Sequence, residues 1–340
     1  LKFPPYEGLH TKPMKDRITT AYNLAGTTTF RLASRRLLGK WGTNVQNIPK
    51  KLRRLFVADK GKVLVQVDQS GAEAMIVGYL CVPGNFRTLF LENIKSHVFV
   101  ALRLFPDVWA AELGRSVEEF CNAPITQLRS IKGWDELNKV IKASDDWPAD
   151  RRYYFMAKMV CHASNYGMKF PTFRLNILQK SRGAVALDAK EAKRFLATYH
   201  KLFPEINQWH NETISTLKQT KTLKNLFGYP RTFTGIIDES MYKEAYAFVP
   251  QSTVGCITNL AFVELQNRQD LLDMGVDVLQ NNHDSVLLQC PEKVVPLVAS
   301  EAMKHMNRKL VSPRGEPFQM RSEALVGHNW KEMNEVDSIV

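Results

Sequence analysis

The stretch Val-Leu-Val-Gln-Val-Asp-Gln-Ser-Gly-Ala-Glu-Ala-Met at 63–75 constrains this chain more than any other. Its β-branched apolar run (Val63, Leu64, Val65, Val67) predicts a buried strand. Gln69, Ser70 and Gly71 break that pattern, and from Ala72 the residues turn helical. Asp68 is left where the strand must end. A carboxylate at the tip of a buried strand is costly unless a positive group neutralises it, and a metal ion is the usual one. One carboxylate makes a poor Mg²⁺ site, so a second is required.

The same logic recurs at 278–289. Val278 and Leu279 on one side, and Val286, Leu287 and Leu288 on the other, flank the polar tip Asn281, Asn282, His283, Asp284, Ser285. This reads as a β-hairpin with Asp284 in its turn. One sheet carrying Asp68 and Asp284 together would suit two Mg²⁺ ions and an in-line phosphoryl displacement. Taken singly, each also fits an ordinary turn aspartate.

A chain of 340 residues is long enough for a large core and two lobes. A net charge of +12 suits a polyanionic partner, and 44% hydrophobic residues indicate a folded chain rather than a basic tail. The five cysteines (81, 121, 161, 256, 290) contain no Cys-x-x-Cys, so neither a zinc site nor a disulfide framework is expected, and a reducing interior is the natural compartment. The longest apolar run, 74–82, is too short to span a bilayer, and no signal peptide is evident. The first residue is Leu, which suggests a piece of a longer chain.

Taken in order, residues 17–22 alternate like a strand, and 26–32 form an extended polar loop carrying Arg31. Arg35, Arg36 and Lys40 follow, and then the cluster Lys50, Lys51, Arg53, Arg54. That cluster suits the phosphate backbone of a nucleic acid, and suits a solvated charged face equally well. A helix is expected near 96–104 with His97 at its start, and weak helical periodicity over 106–148. Asp188 and Glu191 form a capping box for a long amphipathic helix through Phe195, Tyr199, Leu202, Ile206 and Trp209. A hairpin at 222–234, a helix at 239–265 interrupted at Pro250, a helix near 293–310 and a strand near 319–326 complete the reading.

The third motif lies on a helix that Pro148 would open. Lys158, His162 and Tyr166 are spaced four apart and form one stripe. A cation, an imidazole and a phenol on one face suit a nucleoside triphosphate; an amphipathic helix with a snorkelling Lys is the plainer alternative.

These motifs, in this order, resemble the polymerase region of family A DNA polymerases, the group that includes bacterial and phage enzymes. The matches are Arg31, Asn-Val-Gln-Asn-Ile-Pro at 44–49, Asp68 through Glu73, His97, Lys158 through Gly167, Pro250-Gln251, His283-Asp284, and Gly-His-Asn-Trp at 327–330. The resemblance implies an α+β right-hand fold, with an antiparallel palm sheet over 1–90 and 236–340 and helical fingers over 91–235. It implies template-directed addition of dNTPs to a primer 3′-hydroxyl, with Asp68 and Asp284 holding two Mg²⁺ ions and Lys158 completing the catalytic group. Lys158 and His97 would bind the triphosphate, while Tyr166, Glu73 and His162 shape the sugar site, Glu73 hydrogen-bonded to Tyr166. Arg31, Asn47, Lys51, Arg54, Gln251 and His283 would meet the DNA primer-template.

Three departures follow from the same comparison. Tyr154 stands where the family has an Arg one turn before the Lys, Ser285 where Glu commonly follows the second Asp, and 106–148 looks like an insertion into the fingers. Arg151, two turns before Lys158 on the assumed helix, is expected to replace the missing Arg, with Arg152 facing solvent or DNA. His162 takes the place of a Phe or Tyr. The upstream exonuclease and most of the thumb fall outside this sequence, and the implied location is the cytoplasm of a bacterial or phage-infected cell. A phage-type single-subunit RNA polymerase is the enzymatic alternative, disfavoured because Glu73 should exclude a 2′-hydroxyl. A catalytically inactive nucleic-acid-binding module is the other, disfavoured by retention of Asp68, Asp284 and Lys158.

Overall fold

The computed structural model describes residues 17–36 and 42–336, so Lys40 of the expected basic series lies outside the described residues. The chain forms two compact units. One comprises Leu1–Glu73, Lys224–Arg231 and Phe248–Val340, the other Ala74–Leu223 and Thr232–Ala247.

The first unit is built on a five-stranded antiparallel sheet. Its order is Asn334–Glu335, Ser322–Gly327, Lys62–Gln69, Ser285–Pro291, Asp277–Asn282. The central strand is apolar on both sides because both faces are covered. Val63, Val65 and Val67 pack with Val286, Leu288, Val298, Ala302 and Met306, the last three from the helix Val295–Met306. On the opposite face Leu64 packs with Leu279, Leu287 and Trp330, and the Trp330 indole N–H donates to Gln66 Oε1 at 2.7 Å.

Several expectations here are corrected. The strand expected at 17–22 is Ala21–Asn23, paired with Ala33–Arg35. The central strand runs through Gln69, so Asp68 lies inside its last pairs rather than beyond its end. The hairpin turn is only His283-Asp284; Asn281, Asn282 and Ser285 are buried strand residues. The terminal helix is shorter than 293–310, and the strand near 319–326 is split into Pro317–Gln319 and Ser322–Gly327. The helix Glu239–Gln266, which belongs in part to each unit, continues through Pro250 without the expected interruption. Cooperative bonding on either side outweighs the single donor a proline removes.

The second unit is helical. Ser96–Leu104 and Tyr153–Asn165 pack together around an aromatic core, in which Phe86 and Phe203 have ring centres 5.0 Å apart and Tyr199 and Phe203 4.9 Å. The stretch 106–148 is ordered helix rather than weakly patterned chain: Pro106–Leu113, Glu118–Asn122 and Trp134–Ala143 bury Trp109, Phe120, Trp134 and Ile141. Trp109 donates its indole N–H to the Ala101 carbonyl at 2.9 Å, so the burial leaves no orphan donor. The expected long helix after Asp188 is two, Ala189–Leu202 and Pro204–Thr220, broken at Phe203 because Pro204 disfavours helical geometry in the residue before it. The capping box on Asp188 is present, with Glu191 N–H donating to Asp188 Oδ1 at 2.7 Å.

The helix that Pro148 was expected to open is also broken. Ala149–Arg151 is a separate 3₁₀ turn, Arg152 is non-helical at φ −79° and ψ 68°, and the helix proper is Tyr153–Asn165. Arg151 therefore does not share a helix face with Lys158. All five cysteines are free, and no helix among the described residues is long and apolar enough to cross a membrane.

Candidate active site

In the sheet unit, pairing brings the two aspartates together. Asp68 faces Ser285, the residue after Asp284, and the Gln69 N–H donates to the Asp284 carbonyl. Gly71, at φ +60°, turns the chain from the strand into the helix Ala72–Leu80 in a conformation that a side chain would oppose. His283 takes the same left-handed conformation at φ 63° to tighten the hairpin turn. Across the other edge Asp68 faces Glu323, a carboxylate missed in the sequence; the Ser70 hydroxyl donates to its Oε1 at 2.6 Å. Period-two alternation predicts only which face Glu323 takes, not which strand it meets.

The electrostatics follow from that crowding. The Asp68 carboxyl is pushed up to about 7, first by burial, then by Asp284 and Glu323; Arg53 and Lys50 oppose this. Asp284 stands at the turn and is also raised, burial again leading, with Glu73 adding to it while Arg31 and His283 oppose it. Burial and Arg31 hold the His283 imidazole below its usual range. Negative charge is thus disfavoured at two neighbouring carboxylates. Among the described residues no three His, Cys, Asp or Glu side chains form a metal cage. The donor set nevertheless fits Mg²⁺, which retains waters and takes one or two carboxylates along with substrate phosphates.

Glu73 accepts from Arg31 through Oε1 and from Gln251 Nε2 through Oε2 at 3.5 Å. Arg31 and Gln251, expected at the DNA, thus also converge on the expected sugar-site carboxylate. The Asp284 hairpin is braced from behind by two residues to which the sequence assigned no role, Tyr22 and Gln46. The Tyr22 hydroxyl accepts from Asn281 N–H at 3.0 Å and donates to its carbonyl at 2.9 Å, while Gln46 Nε2 donates to that carbonyl at 3.1 Å. In the basic 3₁₀ turn Lys50–Leu55, Lys51 and Arg54 are exposed, as is Asn47 nearby. Within the same cluster the Arg53 guanidinium lies 4.3 Å from the centre of the Trp330 ring.

In the helical unit Lys158 and His97 flank one aromatic side chain. The Lys158 ammonium lies 4.6 Å from the centre of the Tyr154 ring, which meets His97 edge-on at 5.8 Å. Burial, then the charges of Lys158 and Lys95, lower His97 to about 4, so it is neutral near pH 7. His162, exposed, meets Tyr166 edge-on at 5.0 Å. Gly167, at φ +66°, follows; a Cβ there would lie 2.8 Å from the Tyr246 ring. Asp145, unforeseen in the sequence, accepts from Lys158 at 2.9 Å. Arg152, which remains part exposed, also bonds Asp145, and Arg151 pairs with Glu112 at 2.7 Å. No local sequence signal marks these pairings, because the Asp145 pairs depend on how the chain folds back between residues 144 and 152, and Glu112 comes from an earlier helix.

The sequence profile described as DNA polymerase family A matches residues 140–332. The thermostable DNA polymerase I of Thermus aquaticus is 25% identical over 330 residues, covering 94% of this chain and 33% of the relative. DNA polymerase I of Chloroflexus aurantiacus is 22% identical over 336 residues, covering 95% and 30%. The chain therefore spans about a third of the length of these relatives. A solved structure described as the POL domain of Pol1 from M. smegmatis in complex with DNA primer-template and dNTP superimposes with a TM-score of 0.65 at 19% identity. That alignment covers 96% of this chain and 50% of the other, and gives the chain the α+β polymerase fold.

Proposed function

Because the chain belongs to DNA polymerase family A, we propose that it is the core of a DNA-directed DNA polymerase that adds dNTPs to a primer 3′-hydroxyl. The observation carrying this reading is the pairing that sets Asp68 beside the Asp284 turn, with both carboxyls raised by burial and repulsion. Asp68 and Asp284 would hold two Mg²⁺ ions, whose chemistry when bound is activation of the primer hydroxyl and neutralisation of charge on pyrophosphate.

The remaining roles belong to the chain itself. Lys158 meets the triphosphate as a cation, and His97, neutral, meets it as an N–H donor. Glu73, held by Arg31 and Gln251, excludes a 2′-hydroxyl from the sugar site. Lys51 and Arg54, with Asn47, meet the DNA backbone, supplying affinity without sequence preference. Arg31, Gln251 and His283 lie at the primer end. The source is a bacterial or phage polymerase. Primer extension with dNTPs and with NTPs, with and without Mg²⁺, tests the reading: metal-dependent extension with dNTPs alone supports it. Equal use of NTPs would favour the RNA polymerase alternative, and binding without extension an inactive module.

A further inference from the structure

We propose that Arg152 and Lys158 together form the clamp for the terminal phosphates of the incoming nucleotide, and that Asp145 fills this clamp when no nucleotide is bound. This deepens the polymerase reading and rests on it. Lys158 Nζ lies 2.9 Å from Asp145 Oδ2, and Arg152 Nη2 lies 3.3 Å from Asp145 Oδ1. Two cations therefore close on the two oxygens of one carboxylate. A phosphate presents paired anionic oxygens in the same manner and carries more charge, so it competes for both donors at once.

The surroundings suit exchange of one anion for another. The Asp145, Arg152 and Lys158 side chains are 28%, 33% and 40% exposed. A ligand can reach them, and a displaced carboxylate can hydrate. The Arg152 guanidinium has a second anchor that survives the exchange, since its Nε donates to the Asp145 backbone carbonyl at 2.6 Å. Its face also lies 4.8 Å from the centre of the Phe155 ring. Lys158 is steadied by the Tyr154 ring, which supplies no charge. His97 is neutral near pH 7. The cation that shares the Asp145 carboxylate with Lys158 is Arg152. Arg151 points to a different partner, Glu112, and stacks over Trp147 at 5.1 Å.

The experiment measures dNTP KM, kcat and inhibition by inorganic tripolyphosphate in primer extension, with melting temperature as the check on folding. Arg152→Ala should raise the dNTP KM and weaken tripolyphosphate inhibition about tenfold, as for loss of one charge-assisted contact. Arg152→Lys should restore most of that loss. Asp145→Asn should act oppositely, lowering KM and strengthening inhibition roughly two- to fivefold, the worth of a part-exposed ion pair. A merely structural ion pair would lower melting temperature in both variants without moving KM in opposite directions. An Asp145→Asn KM unchanged or raised overturns the proposal, as does a larger effect at Arg151→Ala than at Arg152→Ala. If Arg152→Ala does not fold, Arg152→Lys and Asp145→Asn decide. Normal extension by Lys158→Ala would instead refute the assignment of Lys158 to the triphosphate, a failure distinct from an impaired Lys158→Ala beside an unmoved Arg152→Ala.

Discussion

The backbone N–H of Gln69 donates to the carbonyl oxygen of Asp284 at 3.0 Å. This bond and the Asp68–Ser285 pairing beside it hold two carboxylates together that are far apart in the chain. Because the carriers are backbone groups, the side chains can be changed without dismantling the sheet.

Asp68→Ala and Asp284→Ala should each reduce primer extension about a thousandfold or more, the scale of several kcal/mol of metal-assisted charge stabilisation. Duplex affinity should stay nearly unchanged, because it comes from basic side chains such as Lys51 and Arg54. Primer extension and a binding titration on each variant check both halves.

Glu73→Ala should raise ribonucleotide use relative to deoxyribonucleotide use by roughly tenfold, about 1.4 kcal/mol in transition-state discrimination. Since Arg31 and Gln251 both bond the Glu73 carboxylate, Arg31→Ala and Gln251→Ala should shift the ratio in the same direction by less. The ratio of kcat/KM for the two sugar types is the measurement, and an unchanged ratio in Glu73→Ala counts against the role.

His162 lies edge-on to Tyr166 and can donate a hydrogen bond, which a phenyl ring cannot. His162→Phe should therefore strengthen discrimination against dideoxynucleotides, and His162→Tyr should leave it close to the parent. Single-nucleotide incorporation with paired deoxy- and dideoxy-substrates checks this; weaker discrimination in His162→Phe would sink it.

Stability should fall on acidification because of His210. Burial lowers its pKa to about 4, and its Nε2 lies 2.8 Å from the Asn165 carbonyl, while its ring stacks on Tyr246 at 4.0 Å. With a folded value below the unfolded value of roughly 6.5, the unfolded chain binds more protons between the two. The contribution is intact above the unfolded value and is lost as pH falls through the folded one. Over that window the loss is about 3 kcal/mol. Urea unfolding at pH 7 and pH 4 should show a smaller loss in His210→Gln; an equal loss would exclude His210 as the source.

Tyr22→Phe removes the hydroxyl that both accepts from and donates to the Asn281 backbone. The buried peptide left behind should destabilise the fold by about 1–3 kcal/mol. Chemical denaturation is the readout, and a change below the low end of that range would mean that the Asn281 N–H is satisfied without Tyr22, while Gln46 keeps the carbonyl paired.

What the sequence determined by itself was whatever depends on near neighbours. The apolar run before Asp68, the hairpin around Asp284, the helix Ser96–Leu104 and the Asp188 capping box are written in periodicity and turn chemistry, which act over a few residues. The tertiary structure alone decided what stands opposite what. Glu323 faces Asp68 because of strand register, and Tyr22 braces Asn281 because a distant segment folds back. Where Arg151 and Arg152 lie relative to Lys158 turned on where one helix begins. The Ser144 hydroxyl accepts the Tyr154 N–H at 3.0 Å from ten residues upstream, so the helix starts after Arg152 and not at Pro148. A helix start set by a partner in the preceding segment leaves no mark within a four-residue window. That is why the cation beside Lys158 emerged only from the folded chain.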